Sequence, residues 1–119
     1  MRLPEEFRKR TKKYASDVVR FYVSLPKSRK EVEVLGYQLL RSGTSVAAHT
    51  REASRARSDA EFCSKVALQE ADESGLWLEL LRDDCEIESN QLAGLLGETN
   101  ELIGIFTTMV NRTKRRSAD

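Results

Sequence analysis

The chain has 119 residues, of which 33% are charged and 39% apolar, with a net charge of +1. That length makes one domain with a single core. No run approaches the ~18 apolar residues needed to cross a bilayer, and "MRLPEEFRKR" lacks the apolar stretch of a secretory signal. The expectation is a soluble, cytoplasmic protein with no membrane contact.

The net charge hides a segregation. Residues 1–30 hold ten Lys/Arg against three Asp/Glu, a net +7. Residues 70–101 hold one Arg against ten acids, a net −9, and "NRTKRR" near the end adds +4. Such a chain either pairs its basic and acidic parts, within or between subunits, or presents a basic face to phosphate.

Hydrophobic spacing predicts four helices, at about 4–25, 30–55, 59–82 and 90–112. In the first, Phe7, Thr11, Tyr14, Val18, Phe21 and Leu25 recur at 4-3 intervals. Pro4 suits its first turn, Glu5 and Glu6 suit its dipole, and Pro26 ends it. The second aligns Val32, Leu35, Leu39, Ser42, Val46, His49 and Ala53, with Gly36, Gly43 and Thr50 beside them. Its "GTSVAA" reads as a small-residue surface that admits a neighbouring helix closely.

The third opens on "SDAE", where Ser58 and Glu61 form a capping box. Its expected core runs through Phe62, Val66, Leu76, Trp77 and Leu80, which places Gln69 and Glu73 on the same stripe and Glu70 at its margin. The fourth, capped by Ser89 or Asn90, carries Leu92, Leu96, Thr99, Ile103, Phe106 and Val110; "KRRSAD" is expected to fray. No strand pattern appears, so the fold class is all-α, an antiparallel four-helix bundle in a single domain over 1–119.

Catalytic signals are missing. A di-metal bundle requires two Glu-x-x-His motifs, and "EADE" supplies carboxylates without them. One histidine and two cysteines without CxxC spacing leave a zinc site short of ligands. The six glycines form no phosphate loop. The chain therefore reads as a non-enzyme with no metal and no cofactor. Glu70 and Glu73 are expected to reach the bundle edge or to pair with Arg41, with a polar pocket as the alternative. His49 reads as a structural contact. Trp77, Tyr14, Phe21 and Phe106 read as core or interface aromatics.

Two basic patches remain as candidates for phosphate contact: Arg8, Lys9, Arg10, Lys12 and Lys13, and then Arg51, Arg55 and Arg57. A solvated helix face is the plainer reading of both.

Residues 39–81, "LLRSGTSVAAHTREASRARSDAEFCSKVALQEADESGLWLELL", resemble the proteins encoded within 23S rRNA intervening sequences. The shared features are an "LRxSxxSVxxxxxEA"-like helix, an Arg/Ser-rich turn, an "S-x-x-EF" opening and "EADE…WLELL". They fall on Leu40, Arg41, Ser45, Val46, Glu52, Ala53, Arg55, Ser58, Glu61, Phe62, Glu70, Ala71, Glu73, Trp77 and Leu80. The chain departs from that pattern at His49, where a hydrophobic residue is common, and at Ala53, where glycine is. It is also similar to the accessory protein of diversity-generating retroelements. The resemblance implies a homo-oligomer, a pentamer, with no enzymatic activity. It also implies rRNA or another nucleic acid as a partner, with a reverse transcriptase or other protein as a further one. The alternative is a protein–protein scaffold or accessory subunit without nucleic-acid contact.

Overall fold

The computed structural model describes residues 5–55 and 60–118, with side chains described as far as Arg112. Pro4, Arg57 and the Ser58 cap lie outside the described residues. Four helices follow in order, α1 (Glu5–Ser24), α2 (Lys30–Arg55), α3 (Ala60–Asp83) and α4 (Asn90–Ala118). They form a rod with extents of 52 × 22 × 21 Å. α4 runs six residues past the expected 112, and "KRRSA" contains no helix breaker.

α1 buries Phe7, Thr11, Tyr14, Val18 and Phe21, with Leu25 closing the stripe just after the helix. It ends where Ser24 Oγ donates to the Phe21 carbonyl (2.7 Å) and the Leu25 amide to Tyr22 O (3.2 Å). Pro26, which has no amide hydrogen to continue the ladder, follows. Arg29 then crosses the molecule to donate to the Cys85 carbonyl (2.9 Å), tying the α1–α2 turn to the α3–α4 turn.

α2 keeps two glycines in its interior despite their helix penalty of about 1 kcal/mol. Their reason is α1. A Cβ at Gly36 would lie 2.7 Å from Leu25 Cδ1, and one at Gly43 2.9 Å from Val18 Cγ2. These contacts pair the end of α1 with the start of α2, so the two helices run antiparallel. On the far side of α2, Ser42 Oγ meets Ser74 Oγ of α3 at 2.7 Å.

α3 departs from expectation. Its buried stripe is Ala60, Cys63, Ser64, Ala67, Ala71, Ser74, Gly75, Leu78 and Leu81. Phe62 is 65% exposed and Leu76 47%; Gln69 is exposed and Glu73 half-buried. The expected seam is thus one residue out of phase: Phe62 and Leu76 lie outside, while Val66, Trp77 and Leu80 are half-buried, Trp77 against the edge of the core. Small residues face inward because α2 approaches closely there, and bulk on this helix is not a guide to its inner face.

Glu86, with φ of 56°, turns the chain after α3, and the Ile87 amide donates back to Leu81 O (2.9 Å). Ser89 caps α4 by accepting from the Gln91 and Leu92 amides at 3.0 and 3.3 Å. α4 buries Leu92, Leu95, Thr99, Leu102 and Phe106, while Leu96 and Ile103 sit at the core's edge. The Tyr14 hydroxyl bonds Thr99 Oγ1 at 2.6 Å, and Phe106 packs edge-on against Phe7 with ring centroids 5.0 Å apart. α4 therefore lies antiparallel to α1, closing the bundle, but this fourth seam is much more thinly packed than the other three.

Candidate nucleic-acid interface

Antiparallel packing decides which charges meet. Gly43 against Val18 carries the C-terminal half of α2 toward the start of α1, so Arg51 and Arg55 stand at the same end as Arg8–Lys13. Phe106 on Phe7 brings Arg112, near the end of α4, to that end as well. Cations from three helices, remote in sequence, thus gather at one end of the rod. The opposite end holds the α3–α4 turn with Asp83, Asp84, Glu86 and Glu88. The α1–α2 turn, with Lys27, Arg29 and Lys30, lies beside those acids, so the positive charge of residues 1–30 is divided between the two ends of the rod.

The candidate residues are not equivalent. Arg10 is spent inside the fold: its Nε donates to Glu98 Oε2 at 2.8 Å, and its Nη2 to Glu98 Oε1 at 2.6 Å and Glu101 Oε2 at 2.8 Å. The hydrogen bonds to Glu98 raise the Arg10 pKa further, and that donation holds the Glu98 carboxyl below its usual range. Arg8 pairs with Glu5 (3.1 Å) and Lys13 with Asp17 (2.9 Å), both within α1. Lys9, Lys12, Arg51 and Arg55 are exposed and make no ion pair with another described residue. They are the cations open to a phosphate. Arg57 lies outside the described residues. Arg112, exposed at the same end, was not singled out from the sequence, because only the packing of α4 on α1 brings it there.

Beside this end, α1 and α4 flank an open groove of about 650 Å³, lined by Arg10, Lys13, Tyr14, Asp17, Arg20, Gln91, Gly94, Leu95 and Glu98. Its charges are largely paired. Burial pushes the Tyr14 hydroxyl up in pKa, against opposing hydrogen bonds from Thr99 and Ser74, so Tyr14 stays a neutral core residue.

Elsewhere the polar residues are structural. Arg41 lies over Glu70 (3.6 Å) and Glu73 (3.8 Å), the ion pair expected from the sequence. His49 Nδ1 lies 2.9 Å from the Ser45 carbonyl one turn back. Cys63 and Cys85 are buried without a disulfide between them. Among the described residues, no three His, Cys, Asp or Glu side chains converge as metal ligands, and no helix is long and apolar enough to cross a membrane.

Comparison with known proteins agrees with this architecture. A solved structure of a protein of unknown function from the S23 ribosomal protein family of Bacteroides thetaiotaomicron VPI-5482 is similar at 32% identity and a TM-score of 0.76. The match covers 87% of this chain and 96% of that one. No curated protein matches. The family model described as 23S rRNA-intervening sequence protein matches residues 5–108. With four antiparallel helices and a match over nearly their whole length, the chain belongs to the 23S rRNA-intervening sequence protein family.

Proposed function

We propose that this protein is a non-catalytic cytoplasmic bundle that assembles with copies of itself, as a pentameric ring, and holds RNA against its basic end. The observation that carries the RNA contact is the gathering of exposed cations from α1, α2 and α4 at one end, with Lys9, Lys12, Arg51 and Arg55 free of ion pairs to other described residues. Phosphate contacts of this kind are sequence-independent and salt-sensitive. Among the described residues the connections are short turns without a base-reading loop, and the reading is of RNA held by backbone and shape. The test is a gel shift with 23S rRNA fragments. Binding should weaken steeply with salt, and the triple variant Lys9→Glu/Arg51→Glu/Arg55→Glu should abolish it. No shift at low salt would reject the reading.

A second reading, a scaffold without nucleic-acid contact, is supported by the large apolar side chains outside α3. A reverse transcriptase or other protein would then be the partner, and charge reversal at the basic end would leave its capture unchanged.

A further inference from the structure

Phe62, in the first turn of α3, is 65% exposed. Packing does not call for a ring there, because that turn buries Ala60, Cys63 and Ser64 instead. The pairing of α2 with α3 fixes its level along the rod. Ser42 meets Ser74, and counting nearly equal numbers of residues away from that contact sets Phe62 level with Arg55. Counting likewise from the close approach of Gly43 to Val18 sets Arg51 level with Lys9 and Lys12. On α2, Ser42 faces α3 and Gly43 faces α1, so helical phase turns Arg51 outward and places Arg55 on its α3 side. Lys9 and Lys12 on α1, Arg51 and Arg55 on α2, and Phe62 on α3 therefore follow one another around the basic end, all exposed.

The first four members of this track suit phosphate. The fifth does not: Glu52 and Glu61 flank Phe62, so the run of cations stops where the ring begins. An exposed ring beside a phosphate track suits the face of a base. Bases in a duplex have their faces covered by their neighbours, and only an unpaired nucleotide can offer one. We infer that Phe62 is a stacking platform for an unpaired base, and that the RNA at this end is single-stranded where it passes from α2 to α3. The inference rests on the RNA reading and narrows its ligand. Tyr37, 57% exposed, stands on the other side of Ser42, toward the opposite end, beside an Arg41 already engaged by Glu70 and Glu73. It lies off this track.

The experiment is a fluorescence-anisotropy titration of the full chain. The probes are a labelled, unstructured mixed-sequence RNA strand and the same strand annealed to its complement. Wild type should prefer the single strand. Phe62→Ala should bind that strand about tenfold more weakly, the loss of one stacked base. Its affinity for the duplex and its salt slope should stay as in wild type, since no phosphate contact is removed. Phe62→Trp should keep the single-strand affinity, and Tyr37→Ala should change neither. If Phe62→Ala binds the single strand like wild type, or loses duplex affinity equally, the stacking inference is overturned while the RNA reading stands. A wild type that binds neither probe at low salt would overturn both.

Discussion

Arg10 and Glu98 face each other across the thinnest seam of the bundle, and their bond should show in the pH dependence of stability. The Glu98 carboxyl is lowered from its usual 4.5, chiefly by hydrogen bonding from Arg10, against the opposing effect of burial and with a lesser contribution from the Arg10 charge. A carboxyl depressed in the folded state contributes stability that is fully present above its unfolded pKa and is lost as pH falls through its folded one. Arg10 stays protonated throughout. Glu98→Gln should therefore lower the melting temperature at about pH 7, and the gap from wild type should narrow as pH falls below the usual carboxyl value of 4.5. A gap that does not change with pH would mean that the pair adds nothing electrostatic. The partners of Arg10 were not legible in the sequence. They lie 88 and 91 positions away, and only the closing of α4 on α1 brings them within reach.

Among the helices, two kinds of glycine make opposite predictions. Gly43→Ala would gain about 1 kcal/mol from helix propensity, but its Cβ would stand 2.9 Å from Val18 Cγ2. Overpacking of this kind costs about 1–3 kcal/mol, so the variant should be destabilised, and Val18→Ala in the same chain should recover part of the loss. Gly94 and Gly97 meet no such wall, since a Cβ at either would have nothing within 4 Å. Replacing either by alanine should stabilise α4 by about 0.5–1 kcal/mol, readable in urea midpoints.

The helices also differ in how plainly their sequences speak. α1 was legible because its aromatic residues and Val18 fall at 4-3 spacing on one face and most of its charges on the other, although Val19 and Val23 are exposed. α3 was not. Over its first four turns its inner face is Ala, Ser, Gly and Cys, with Leu78 and Leu81 buried only near its end, and Phe62 and Leu76 sit outside, so periodicity weighted by size settles on the wrong side. Gln69 and Glu73 went with it. Glu70 was placed correctly because it lies at the boundary of both stripes.

For the whole molecule, the antiparallel bundle followed from four amphipathic stretches and short connections. The gathering of exposed cations at one end did not. A net +1 suggests no partner, and the charge blocks in the chain do not say which ends of which helices meet. Packing turns those blocks into a basic end, from which RNA affinity should fall log-linearly with salt. Each phosphate contact removed should flatten the slope by about 0.7–0.9. The Lys9→Glu/Arg51→Glu/Arg55→Glu protein should thus lose both affinity and salt sensitivity, while an unchanged slope would place the contact elsewhere.

The thin seam between α1 and α4 also sets an order of opening. α2 and α3 share the most extensive packing, whereas α1 is joined to α4 by a few pins: the Arg10 bonds, Tyr14 to Thr99, and Phe7 on Phe106. Local opening follows the number and burial of such contacts. In native-state hydrogen exchange, amides of α1 should become labelled while those in the middle of α2 and α3 stay dark until the whole protein unfolds. The hydroxyl of Tyr14, bonded across that seam, would be the latch whose release exposes the interior first.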